Sequence, residues 1–272
     1  MSYLGVFLTF ARNSLIRDMT FRANFIIELI SSMSWMAMNL GFYTLVYRYT
    51  QNIAGWDKYE FFVFIATTMF VNSLVQAFFM PNAEELSEMV RTGGLDFALL
   101  KPIDTQFLVS LQRVNWSSLG NFLVALMLLA YAVPRIEGYQ FSLAAAVLYP
   151  LYIVAGVLIL YSVMITLAAT SIWLGRNQSL YDFWFYITNF SRYPMEIYDG
   201  PFGKPLQWAF TFIIPILVVI NVPAGIMAKP ILADNPYGPW LAVFAVLATI
   251  AALAFSRWVF QKALGSYRSA SS

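Results

Sequence analysis

Gly138-Tyr-Gln-Phe-Ser-Leu-Ala-Ala-Ala-Val-Leu-Tyr-Pro-Leu-Tyr-Ile-Val-Ala-Gly-Val-Leu-Ile-Leu-Tyr-Ser-Val-Met-Ile-Thr-Leu-Ala-Ala-Thr-Ser-Ile-Trp-Leu-Gly175 contains no Lys, Arg, Asp or Glu. A helix crosses the hydrocarbon core of a bilayer with roughly 20 apolar residues. This run exceeds that, and Pro150 is expected to break or kink it. The reading is an interfacial lead-in, then a span ending near Trp173. Five further runs are equally free of charge: Leu29–Tyr47, Phe61–Ala83, Val114–Pro134, Pro205–Ala228 and Asn235–Ser256. Backbone polar groups in lipid must be satisfied within the segment, so each run reads as helix. The fold class is all-α, a polytopic membrane protein.

Composition agrees. Apolar residues make up 60% and charged residues 11%, mean hydropathy is +0.66, and soluble domains carry about 25% charge. The runs and their connectors leave no segment long enough for a separate soluble domain of about 50 residues. The chain has no Cys and no His, which removes disulfides, thiolate sites, imidazole ligands and the usual neutral-pH general base.

Six spans are expected, beginning with Phe25–Tyr47, Tyr59–Met80 and Asn115–Pro134 and ending with Pro239–Val259. The region between the fourth and last spans admits two readings. In one, Ser179–Asn189 is the fifth span and Leu206–Val222, interrupted by Pro215 and stopped by Pro223, re-enters the membrane without crossing. In the other, Leu206–Val222 crosses. Residues 1–22 read as an amphipathic helix in the interface plane, with Leu4, Phe7, Leu8, Ala11 and Leu15 on one face and Thr9, Asn13 and Arg17 on the other; they do not read as a cleaved signal peptide. With a cytoplasmic N-terminus, Arg12, Arg17, Arg22, Arg91, Lys101, Arg113, Arg176, Arg257, Lys262 and Arg268 fall inside. The other Lys and Arg residues, Arg48, Lys58, Arg135, Arg192, Lys204 and Lys229, fall outside. Basic residues accumulate on the cytoplasmic side, so both termini are expected there.

The longest polar stretch is residues 82–104. Glu84, Glu85, Glu88 and Arg91 share a helical spacing, and Gly93-Gly94 stops that helix as a C-cap. Leu95, Phe97, Leu99 and Leu100 then offer an apolar surface. Such a segment serves either as a grip for a soluble partner or as a loop helix resting on its own bundle. Polar residues within spans are functional candidates by default: Asn39 and Thr44, Asn72 and Gln76, Asn121, Thr166 and Thr170. Each also serves as an interhelical hydrogen-bonding group. Asp182 and Arg192 flank Trp184-Phe185-Tyr186, as a gate pair or as separate solvated charges. Most of the aromatic residues, 18% of the chain, read as interfacial belts, with Trp35, Trp56, Trp173, Trp208, Trp240 and Trp258 near span ends. Ser31, Ser32 and Ser34, and Ala248 with Ala252, allow close helix approach.

Arg91-Thr-Gly-Gly-Leu-Asp-Phe-Ala-Leu-Leu-Lys-Pro-Ile-Asp104 resembles the cytoplasmic motif of type-2 ABC exporter permeases, in particular the six-span branch that lacks a fused ATPase. Phe212-Ile-Ile-Pro215 and Asn221-Val-Pro223-Ala resemble that branch's motif before its last span. The resemblance implies one transmembrane permease domain over 1–272, with an interfacial helix at 1–22, a coupling loop at 82–104 and an outer re-entrant region at 194–238. It implies a second permease subunit, the same chain or a homologous one, membrane lipid around the pair, and cytoplasmic ABC ATPases beneath. Glu84, Glu85, Glu88, Arg91, Gly93, Gly94, Leu95 and Asp96 would meet the ATPase. Asn39, Asn72, Gln76, Asn121, Asp182 and Arg192 are the pathway or gate candidates. The chain binds no cofactor of its own in this reading; ATP and magnesium sit on the partner. A P-loop needs Gly-x4-Gly-Lys-Ser/Thr; at Gly203-Lys204 the next residue is Pro205 and Tyr198 takes the first glycine's place. The location implied is the plasma (inner) membrane, with no nucleic-acid partner. The alternatives are an ion-driven secondary transporter, disfavoured by the lack of acidic residues within spans, a lipid-acting membrane enzyme relying on Glu196 and Asp199, and a membrane assembly subunit.

Overall fold

The computed structural model describes residues 2–20, 22–174, 179–229 and 238–267. The structure is nearly all-α. Helices α1 (Tyr3–Thr20) and α2 (Arg22–Val46) lead into a two-stranded hairpin, β1 (Asn52–Ile53) and β2 (Trp56–Asp57), which the sequence reading missed. Its turn residues Ala54 and Gly55 both take positive φ, 52° and 77°, as a type I′ turn requires. The chain continues through α3 (Lys58–Phe78), α4 (Met80–Thr92), α5 (Gly94–Leu99), α6 (Thr105–Leu111), α7 (Leu119–Ala132) and α8 (Leu143–Ala169). Then come α9 (Ser171–Leu174), α10 (Ser179–Phe190), α11 (Lys204–Trp208), α12 (Ile216–Ala228) and α13 (Gly238–Ser266).

Among the described residues four helices are long and apolar enough to cross a membrane: Phe25–Val46, Lys58–Thr92, Leu143–Leu174 and Gly238–Ser266. A fifth candidate is the pair Lys204–Ile213 and Ile216–Ala228, bent by 89°. α7 is shorter than the expected third span because Asn115–Ser118 fold into a turn in which Asn115 Oδ1 accepts from the Ser117 and Ser118 amides at 3.0 and 3.3 Å. Neither internal proline ends its helix. α8 starts at Leu143, capped by Ser142 Oγ on the Ala145 amide, and runs straight through Pro150. The separate lead-in expected there does not form. α12 likewise continues past Pro223 to Ala228.

α3, α8 and α12 make the centre, with α7 against α3 and α13 against α8. α12 is the most enclosed, Ile216 to Ala224 being buried without a break. Pro223 lacks the N–H that would bond the carbonyl four residues back, Val219. That carbonyl faces Gly156 of α8, where an added Cβ would lie 2.7 Å from it. Glycine at 156 is therefore what lets the two central helices touch. By contrast α2 and α13 present large apolar side chains outward, including Met38, Phe42, Trp240, Leu247, Ile250 and Trp258. Soluble proteins rarely expose apolar surface on this scale; these are lipid-facing walls.

Two polar layers close the bundle's ends. At the start of α3, Trp56 is 2% exposed, not in an aromatic belt as its position suggested. Its Nε1 donates to Glu196 Oε2 at 3.2 Å, its carbonyl accepts from the Tyr47 hydroxyl at 2.9 Å, and Lys229 Nζ sits 4.3 Å from its ring centre while donating to Gly55 O at 3.0 Å. Asn221 and Gln207 hold the backbone of Met195 in the same layer, each at 2.8 Å. The other layer begins beyond Phe79. The 21 residues of α3 separate the two by about 31 Å at 1.5 Å per residue, the thickness of a hydrocarbon core.

Candidate functional site

The residues of 82–104 form a rigid unit at the second polar layer. Pro81 lies in the first turn of α4, where its missing N–H costs nothing, and Gly93 ends α4 with φ 76°. Asn82 is buried and bonds across to the chain before α7, giving Nδ2 to Arg113 O and accepting the Arg113 amide, both at 2.8 Å. The acidic residues have separate tasks. Glu85 pairs with Arg113 at 2.6 Å and Glu88 with Arg91 at 2.5 Å, while Glu84 is exposed. Leu95 is fully buried with Leu86, so it anchors α5 and offers nothing outward. Gly94 opens α5. Asp96 acts on Tyr267 after α13, where burial first and the Asp96 charge second push the phenol above its ordinary value. The surface left open is apolar: Phe97 at 73% and Leu100 at 81% exposure.

A clamp that the sequence reading did not single out fixes this unit to the bundle. Arg257 of α13 grips Asp104 with both guanidinium branches, at 3.0 and 2.5 Å, and reaches Gln106 Oε1 at 3.1 Å. Gln106 Nε2 donates to the Tyr161 hydroxyl at 3.0 Å, and Ser110 Oγ shares that hydroxyl at 3.0 Å. The Arg257 guanidinium and the Phe107 amide at 2.9 Å, which Asp104 also caps, hold the Asp104 carboxyl below the usual carboxylate range. The signal available in the sequence was the first charge after the last apolar run, Arg257, facing a loop with one unassigned carboxylate.

α1 docks beside the same layer. Ser14 Oγ accepts from the Val114 amide at 3.1 Å, Ala11 O from Trp116 Nε1 at 3.1 Å and Asp18 from the Trp116 amide at 3.3 Å. The docked stripe is thus Phe7, Ala11, Ser14 and Asp18, whereas Leu4, Leu8 and Leu15 stay exposed.

Five of the six pathway candidates line one cavity of about 410 Å³ between α2 and α3: Asn39, Asn72, Gln76, Asn121 and Arg192. The sixth is not placed there; the Asp182 side chain lies outside the described residues, as do Arg176 and Arg268. Arg192 lies 5.6 Å from the centre of the Phe185 ring, and no ion pair to it occurs among the described residues. Thr166 and Thr170 bond back to carbonyls of their own helix at 2.7 and 2.6 Å.

A family model described as ABC-2 family transporter protein matches residues 33–271, which takes in both polar layers and all of the cavity's lining except Ser31 and Ser32. The chain belongs to the ABC-2 transporter family. It is a multi-pass membrane protein, a permease of the ABC type. No curated protein and no solved structure matches it. Among the described residues of this ABC-2 permease no group of His, Cys, Asp or Glu is placed to hold a metal ion.

Proposed function

We propose that this ABC-2 permease is the membrane subunit of an ATP-driven exporter, with its pathway formed by two permease subunits and powered by a separate cytoplasmic ATPase that carries ATP and magnesium. The observation that carries the reading is the combination at 82–104 of an exposed face with a rigid mount. Phe97 and Leu100 are solvent-facing apolar side chains on α5, and the same unit is tied to α8 and α13 through Asp104, Arg257, Gln106 and Tyr161. A push on α5 is therefore delivered to two long helices at once. Glu84 and the Glu88–Arg91 pair are exposed on α4, the helix that leads into α5.

Six crossings fit this assignment, with α10 as the fifth and α11–α12 as a re-entrant hairpin. Support comes from Met195, held by Gln207 of α11 and Asn221 of α12 at once, and from Lys229, which ends α12 beside Trp56. α1 lies at the inner interface with Leu4, Leu8 and Leu15 toward lipid, and both termini are cytoplasmic in the plasma (inner) membrane.

The test is purification of the tagged chain in mild detergent with identification of what accompanies it. The expected result is a P-loop ATPase that is lost from Phe97→Asp and Leu100→Asp variants, while Glu85→Gln retains it at reduced thermal stability. A chain that purifies alone and moves substrate without ATP sinks the reading in favour of an ion-driven carrier.

A further inference from the structure

The α2–α3 cavity has a polarity pattern that specifies a ligand. Tyr43 of α2 packs on Phe61 of α3 with ring centres 4.8 Å apart, and Leu29 meets Gly120 at the head of α7. The helices therefore run antiparallel, and the cavity's lining residues fall into levels. Arg192, three residues before Met195 of the Trp56 layer, lines the cavity at its Tyr43 end. In the middle Trp35, Met36 and Met69 are apolar, and Asn39 and Thr68 beside them turn their donors onto carbonyls of their own helices at 2.8 and 2.9 Å, while Ser31, Asn72, Gln76 and Asn121 form the far end. From Tyr43 to Ser31 the rise of 1.5 Å per residue gives a length of about 18 Å.

At the far end Ser73 satisfies its hydroxyl on its own helix at 2.6 Å, and the side-chain amides are what is left to meet a ligand. Among the described residues, the side-chain amides of Asn72, Gln76 and Asn121 have no protein hydrogen bond. An amide both donates and accepts, so three together suit neutral hydrogen-bonding groups such as sugar hydroxyls. Among the described residues no carboxylate lines the cavity and Arg192 is its one charged group, which suits an anion rather than a cation.

We propose that this cavity binds an anionic bola-amphiphile: a carboxylate or phosphate at Arg192, an alkyl middle against Trp35 and Met36, and a neutral hydroxyl- or amide-bearing terminus at Asn72, Gln76 and Asn121. A twelve-carbon chain, about 15 Å extended, matches the separation of the two polar ends. Calling this ligand the cargo rests on the permease reading. Binding itself requires no ATPase, so the failure of either claim leaves the other measurable.

The experiment titrates the purified full chain with 12-(glucosyloxy)dodecanoate and reads Trp35 emission as the difference between wild type and Trp35→Phe. Saturable binding is expected, weakened about tenfold or more by the methyl ester of the probe, by its six-carbon homologue and by Arg192→Gln. Arg192→Lys should restore most of it. Asn72→Leu with Gln76→Leu should weaken the glucosylated probe about tenfold and leave plain dodecanoate unchanged, a comparison that also shows the double variant is folded. Equal response to probe, ester and homologue would mean partition into detergent and overturn the proposal. So would indifference to Arg192→Gln, or a disulfide between two copies of a Ser32→Cys variant, which would show that a second chain fills the space.

Discussion

Asp104 caps α6 through the Phe107 amide and pairs with Arg257, so its two functions separate by substitution. Asp104→Asn retains an acceptor for the cap and loses the ion pair. The pair is substantially exposed, with side chains at 44% and 29%, and its net worth is about 1 kcal/mol or less after solvent screening. Asp104→Ala loses the cap as well, a further ~1 kcal/mol. Melting curves in detergent should rank wild type, Asn and Ala in that order. The pH dependence has a definite sign. The folded-state pKa of Asp104 is lowered, chiefly by the Arg257 hydrogen bond, so its contribution is complete above the ordinary Asp value near 3.9 and is lost as pH falls through the lowered folded value. Wild type and Asp104→Asn should differ by a constant amount at neutral and mildly acid pH and converge only below pH ~4. Convergence nearer pH 6 would show that another group governs the clamp.

At the level of elements, the contact of α8 with α12 depends on one glycine and one proline acting together. Pro223 strips the Val219 carbonyl of its helical donor and Gly156 lets α8 come up against it. Gly156→Ala places a methyl 2.7 Å from that oxygen and 2.9 Å from Val219 Cγ1, and backbone on both sides prevents an easy shift. A loss of about 1–3 kcal/mol is expected from such overpacking, read as a lower melting temperature. Gly93→Ala costs roughly 1–2 kcal/mol for a different reason, the left-handed φ of 76° that ends α4. These elements also show what the sequence could and could not reveal. The Gly93 C-cap, the apolar helices and the amides of one wall were legible because each is set by local spacing. Pro150 and Pro223 misled because a proline weakens a helix locally while packing against three neighbours sustains it. The Trp56 site and the Asp104–Arg257 clamp join residues 140 and 153 positions apart, and no periodicity reports a contact of that separation.

The whole molecule is organised by two polar layers about 31 Å apart at the ends of α3, and its orientation follows from which layer faces outward. Thr50, Glu196 and Lys229 belong to the Trp56 layer or lie next to it, and Lys101 and Gly265 to the opposite one. The chain has no Cys, so single-cysteine variants carry one reactive thiol each. An impermeant maleimide applied to intact cells should label Thr50→Cys and Gly200→Cys, and should reach Lys101→Cys and Gly265→Cys only after lysis. Lys229→Cys decides the fate of the bent pair. If α11–α12 dips in and returns, the arrangement proposed from the shared grip of Gln207 and Asn221 on Met195, residue 229 labels from the same side as residue 50. Labelling of residue 229 only after lysis would mean that α11–α12 crosses, which would place the start of α13 on the inner side and its Arg257 end outside. That outcome would also contradict the contact of Lys229 with Trp56, because one side chain cannot reach across the hydrocarbon core.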